Sequence, residues 1–209
     1  MGENVVRLLE HGNGDIAHAR AMWASTGKTL TPENIARIPE RLQFLATSGH
    51  TSPFEHSQLS FAMTAEYASH IHIIKHRIGV SVNTESARYK EYTEDKWYNP
   101  PDWSAEEQGD LNAHCGYSFY KYHETIRRLV DRGMDRKRAK ETARYFLPLA
   151  AQLNFIVTMT FLAFVHFQKL RNSEHAQLEI REIAQKMLEL VRTETDGNFE
   201  HSLAAWGLQ

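Results

Sequence analysis

Residues 149–170 contain the most apolar run of the chain, and no other stretch constrains the fold so tightly. The densest part, residues 155–167, contains Thr158, Thr160 and His166. It is too short and too polar to cross a bilayer, which takes about 20 apolar residues. The rest of the molecule must therefore cover this segment. Its length and composition predict a buried helix, apolar nearly all round.

Residues 176–191 form an amphipathic helix pattern, with Ile180, Ile183, Ala184, Met187 and Val191 on one face. A long helix is expected over 106–132, ending at Gly133, and another over 136–145, closed by Pro148. Thr31 before Pro32 reads as a cap and first helical residue, with the helix running to about Ala46 and stopped by Gly49. Residues 8–23 read as mixed strand and short helix. Residues 58–64 alternate, with Leu59, Phe61 and Met63 on one face of a half-buried strand. A helix over 65–74 would turn Tyr67, Ile71 and Ile74 to one side. Residues 50–56 read as a polar turn, 75–92 as a polar loop, and 97–103 as a proline-rich turn. The sum is an α+β (α/β-like), helix-rich chain with a small sheet, one domain over residues 1–209.

Composition narrows the function. With 209 residues and 42% hydrophobic content, the chain can bury a real core. A formal net charge of −2 gives no basic field, so anions must be held by local clusters and nucleic acid is not an expected partner. The single cysteine, Cys115, excludes an internal disulfide and a cysteine zinc site, and a reducing cytoplasm fits. The opening Met1-Gly2-Glu3-Asn4 shows no signal peptide, and Val6 spoils a myristoylation signal. The 12 histidines form no HExxH-like pattern, so no metal site is expected, and neither is a membrane anchor.

Residues 75–89 carry the most chemistry. Lys75, His76 and Arg77 supply charge, and Gly79 permits close backbone approach to a ligand. Ser81, Asn83, Thr84 and Ser86 supply neutral donors and acceptors, and Arg88 offers a fork suited to phosphate. On composition alone, a phosphate and polar-ring binding loop and a solvated surface loop stand level.

Four segments then share one resemblance. Lys75-His76-Arg77, with Ser86 and Arg88-Tyr89, resembles the signature of the flavin-dependent thymidylate synthases, Arg-His-Arg, seven residues, Ser, x-Arg-Tyr. Residues 49–56 resemble that family's Gly-His-x-(Ser/Thr)-Pro-Phe-Glu-His element, 144–149 its Arg-x-x-Leu-Pro-Leu element, and 170–181 its Leu-Arg-x-x-x-His-Ala-Gln-x-Glu-Ile-Arg element. They stand in the family's order.

The resemblance implies a mostly antiparallel sheet, bound FAD, a homotetramer with shared active sites, and reductive methylation at C5 of a uridine monophosphate. Methylenetetrahydrofolate would give the carbon and NADPH the electrons. Carried over by motif, Ser52, Glu55, Lys75, His76, Arg77, Ile78, Thr84, His166 and His175 would face the flavin. His72, Lys75, Glu85, Ser86, Ala87, Arg88 and Arg144 would hold the nucleotide. Arg171 would favour the ionised uracil N3 and enrich C5 in electrons. It is expected just before a helix starting near Asn172 or Ser173, where a cation opposes the helix dipole unless an anion is bound. Read by itself, Glu55 has a weaker second reading as a solvated or capping carboxylate, and His175 is equally a capping or core histidine. Cys115 lies outside every matched motif. The thiolate attack of ordinary thymidylate synthases therefore has no placed nucleophile, and the chemistry falls to the cofactor.

The chain also departs from the family pattern. Lys75 replaces an Arg and loses its fork. Eight residues, not seven, separate Arg77 from Ser86, with the extra one near Gly79 and Val80. Thr84 takes the usual place of a Glu, with Glu85 beside it. His72 replaces a Gln. Thr160, Leu162 and His166 stand where Asn, Arg and Asn are common, which implies weaker flavin affinity. These changes point to altered substrate preference. A family branch methylates UMP in nucleoside-antibiotic synthesis, and a longer loop would leave room for a ribose 2′-hydroxyl. The rival reading is a nucleotide- or flavin-binding regulatory module without catalysis. RNA binding through residues 75–88 fits poorly with the acidic balance.

Overall fold

A computed structural model describes residues 2–209. Strand β1 (Val5–His11) leads into helix α1 (Gly14–Ala24). Thr31 caps α2 (Pro32–Ile35) by accepting the Asn34 amide at 3.3 Å. The single helix expected up to Ala46 is instead two, because α3 (Ile38–Thr47) starts afresh. Pro39 lacks the N–H that a continuous helix would use there, and it is accommodated in the first turn of a new one. Gly49, at φ +74°, ends α3.

The segment expected as a polar turn forms a 3-10 turn over Ser52–Glu55, with Pro53 and Phe54 buried beneath it. Strand β2 (Gln58–Glu66) buries Leu59, Phe61 and Met63, as its alternation predicts. It runs on to Glu66, whose carboxylate accepts the Ser69 amide at 3.2 Å and starts α4 (Tyr67–Ile74). The side of this helix that carries Ile71 and Ile74 faces outward. Ile71 and Ile74 are exposed, and Ser69, His70 and Ile73 are buried. Two turns are too short for periodicity to fix a face, and the packing of the His70 ring against Phe155, 4.9 Å between centroids, sets it instead.

The loop expected over 75–92 contains strand β3 (Val80–Thr84), whose β-branched Val80 and Val82 alternate with polar residues. Helix α5 (Ala105–Asp131) has a full capping box from Ser104 and Glu107. Helix α6 (Arg136–Ala143) is followed by a 3-10 turn, Arg144–Phe146. The long apolar segment is the main correction. It is not one helix but strand β4 (Gln152–Thr160) followed by α7 (Phe161–Arg171). Leu153, Phe155, Val157 and Met159 are buried and their neighbours less so, a period of two that Gln152, Asn154, Thr158 and Thr160 mark in the sequence. Thr160 makes the switch, its hydroxyl capping α7 through the Ala163 amide at 3.2 Å. Helix α8 (Leu178–Thr193) buries the five predicted residues, and α9 (Glu200–Ala205) follows.

The strands pair in the order β1-β2-β4-β3. The Ser60–Thr158 and Thr64–Asn154 side-chain bonds, at 2.8 and 2.7 Å, show β2 and β4 running antiparallel. The architecture is a helix-rich α+β fold on a small antiparallel sheet. Among the described residues no helix is long and apolar enough to cross a membrane.

The chain gathers into two compact units. The first comprises residues up to Val5, Thr64–Ile73 and Asn83–Phe155. Its core is Phe119, Tyr122 and Ile126 of α5 against Ala139 and Ala143 of α6, with Ala87 and Tyr92. The second comprises Val6–Met63, Ile74–Val82 and Ile156–Gln209. Its core is aromatic, with Phe161 stacked on Phe199 and Phe61 on Phe164.

Candidate active site

In the first unit, the segment after β3 carries the residues expected to hold a nucleotide. The Ser86 hydroxyl accepts the Arg88 amide at 3.2 Å, which folds residues 86–88 into a tight turn with Ala87 buried beneath. Arg88 reaches outward, and its Nε donates to Glu141 of α6 at 2.7 Å. Each partner supports the other's charge: Arg88 is pushed above its ordinary range and Glu141 held below its own. Arg144, exposed, lies on the turn after α6. Glu141 is a residue that motif matching missed, because nothing in its local sequence marks it as an Arg88 partner.

Thr84 and Glu85 are both engaged by the protein. Thr84 bonds His70 at 2.8 Å. Glu85 accepts the Asn154 amide at 2.9 Å and Lys90 at 2.9 Å. His72 lies half-buried on α4.

In the second unit, residues 75–79 follow the end of α4. Lys75, Arg77 and Ile78 are exposed, Ile78 at 94%. His76 turns inward, its ring edge-on to Phe167 at 5.0 Å between centroids. The Arg171 Nε donates to His76 Nε2 at 3.1 Å, joining two segments 95 residues apart. A guanidinium cannot accept, so His76 Nε2 carries no proton and the ring is neutral. Arg171 is the last residue of α7, and α8 does not begin until Leu178. This corrects the expected dipole argument. Arg171 sits at the negative end of its own helix, where a cation is favoured.

Gly79 makes a close approach, but to the protein itself. At φ +68° its carbonyl accepts the Thr160 amide at 2.9 Å, and a Cβ there would lie 2.7 Å from the Thr160 hydroxyl. The turn at Gly79, where the extra loop residue is expected, is thus pinned to the start of α7. Leu162 is buried in the core, and His166 is exposed on α7. His175 is exposed in the segment between α7 and α8, its amide donating to Ser173 at 3.1 Å.

Ser52 and Glu55 are exposed on their 3-10 turn. A groove of roughly 460 Å³ opens beside Ser52, lined among others by Lys28, Arg41, Phe44 and His50. His50 lies inside the matched element, yet only Ser52 and Glu55 were carried over from it. Cys115 is fully buried on α5, and burial pushes its thiol up to about 11. It stays protonated at neutral pH and cannot be a nucleophile. Cys115→Ala is expected to leave the methylation rate within about twofold of the unaltered protein, measured by product formation. A loss of several hundredfold would restore a thiolate mechanism.

Comparison with known proteins gives these features a family. The Thy1 family model, "Thymidylate synthase complementing protein", matches residues 7–195. A flavin-dependent thymidylate synthase of Kosmotoga olearia is 29% identical over 93% of this chain and 88% of its own. One from Pseudothermotoga lettingae is 31% identical over 86% and 80%. The solved structure of the UMP/dUMP methylase PolB from Streptomyces cacaoi, bound with 5-Br dUMP, superposes with a TM-score of 0.77 at 25% identity, covering 99% of this chain and 97% of that one. An enzyme of the methyltransferase class is what fold and relatives define. The chain belongs to the flavin-dependent thymidylate synthase family.

Proposed function

We propose that this protein methylates C5 of a uridine monophosphate, UMP or dUMP, with methylenetetrahydrofolate as carbon donor, NADPH as reductant and FAD as cofactor. The observation that carries the reading is the Arg171–His76 hydrogen bond. It fixes the plane of the Arg171 guanidinium, and a fixed cation beside the uracil N3 draws negative charge into the ring and raises electron density at C5. Arg88, held through Nε by Glu141, presents a cation to the nucleotide phosphate, with Ser86 and Arg144 as further contacts. The donor set of the second unit suits a flavin: Lys75 and Arg77 for a diphosphate, Ser52, Glu55 and the histidines for polar edges, and exposed Ile78 for a ring face. When bound, the flavin would supply the reducing chemistry that no side chain here can. The exposed Leu149 and Tyr145, in the Arg-x-x-Leu-Pro-Leu element, support a homotetramer with shared sites.

The added loop residue, pinned at Gly79 and Thr160, favours the ribonucleotide. The test offers equal UMP and dUMP with FAD, NADPH and methylenetetrahydrofolate under anaerobic conditions, and reads products by mass spectrometry. Methylated UMP in excess is expected. Equal turnover of both, or an excess of methylated dUMP, would overturn the ribonucleotide preference.

A further inference from the structure

One buried polar chain takes no part in the chemistry above. His18 of α1 is fully buried among aromatic rings, with Phe161 at 5.1 Å, Phe54 at 5.2 Å and Phe199 at 6.2 Å between centroids. Its Nδ1 meets the Ser202 hydroxyl of α9 at 2.8 Å, and its Nε2 meets the Ser57 hydroxyl at 2.6 Å. Ser202 in turn donates its hydroxyl to Asp15 at 2.5 Å, and Asp15 also accepts the amides of His201 and Ser202 at 2.8 Å each.

The directions follow from the end of the chain. Asp15 is held as an acceptor by two amides, so the single Ser202 proton goes to it. The Ser202 oxygen must then accept from His18 Nδ1–H. That leaves His18 Nε2 without a proton, and Ser57 must donate to it. Burial drives the His18 pKa down to about 3, which keeps the ring neutral and this order of donors intact. An apolar side chain would fill the same aromatic pocket without the desolvation burden. A polar chain there specifies geometry that packing alone would leave loose.

What it specifies lies at its far end. Ser57 is two residues beyond Glu55, and its carbonyl accepts the Phe161 amide at 3.0 Å, where α7 begins. The His18 ring also abuts Phe54, which with Pro53 is buried between Ser52 and Glu55. We propose that His18 is a positioning residue that, through Ser57 and Phe54, holds the Ser52–Glu55 turn in the geometry that receives the flavin. The inference rests on the reading of Ser52 and Glu55 as flavin contacts.

The test compares Ser57→Ala with Ser202→Ala, each of which removes one hydrogen bond to His18. FAD affinity is measured by fluorescence titration and the thermal midpoint is measured without FAD. If the chain only stabilises the fold, the two variants should lose midpoint and FAD affinity in parallel. On the proposal, Ser57→Ala binds FAD roughly five- to tenfold more weakly, Ser202→Ala within about twofold of the unaltered protein, and Ser57→Thr recovers most of the loss. Equal FAD affinities for Ser57→Ala and the unaltered protein would overturn the positioning role and leave the flavin reading intact. Failure of the unaltered protein to bind FAD would overturn both.

Discussion

Replacing Arg171 by alanine is expected to lower kcat for nucleotide methylation by roughly 100- to 1000-fold, the usual cost of removing one preorganised charge-stabilising donor. Two features make the loss large. Arg171 ends α7 on a favourable dipole, so its charge is stable there without a ligand. Its Nε bond to His76 fixes the guanidinium plane, so no reorganisation is needed when charge develops on the ring. Arg171→Lys keeps the charge but loses the planar fork and the Nε donor. It is expected to recover only part of the rate, remaining about tenfold or more below the unaltered enzyme. Single-turnover product formation on folded protein checks both variants. A kcat within about threefold for Arg171→Ala would remove this residue from the chemistry.

The second large effect concerns the loop. Gly79→Ala places a Cβ at φ +68°, which costs an L-residue about 1–2 kcal/mol. The new atom would also lie 2.7 Å from the Thr160 hydroxyl that caps α7, so the cap or the turn must shift. Losing such a cap costs about 1 kcal/mol more. Together these amount to roughly 2–3 kcal/mol, a fall in thermal midpoint of about 4–12 °C for a chain of this size. Nucleotide KM is expected to rise as well, because β3 and the Ser86–Arg88 turn follow directly from Gly79. Gly79→Ala with an unchanged midpoint and KM would show that the pinned turn has no hold on the substrate segment. Thr160→Ser, which retains the hydroxyl, is expected to keep both values near those of the unaltered protein.

Much of this is legible in the sequence. The α8 face, the β2 alternation, the Thr31 cap and the Gly133 stop each follow from a single local rule, and each stands in the structure. The four motif segments pointed to the family that the comparisons show. What was hidden is instructive. Gln152, Asn154, Thr158 and Thr160 alternate with Leu153, Phe155, Val157 and Met159, a strand signal that the dense apolar run from Phe161 onward masks when the whole segment is taken as one element, and the Thr160 cap marks where strand becomes helix. The strand in the 75–92 segment is obscured because its partner, β4, lies in the segment whose composition favours helix. The position of Arg171 at the end of α7 is not marked in the sequence, since residues 172–177 between α7 and α8 hold no glycine or proline. Glu141 and His18 bond to Arg88 and Ser202, 53 and 184 residues away, separations at which pattern reading has no reach.

On the proposed function, reducing and one-carbon chemistry runs through a bound flavin, with Arg171 activating the pyrimidine and no enzyme thiolate involved. The most direct measurement is methylation of UMP by the Cys115→Ala protein, with methylenetetrahydrofolate and NADPH, in the presence and absence of added FAD after flavin has been stripped. The account predicts 5-methyl-UMP only when FAD is supplied, at a rate close to that of the unaltered enzyme. Product formed equally well without flavin, or none formed by folded protein that has bound FAD, would contradict it.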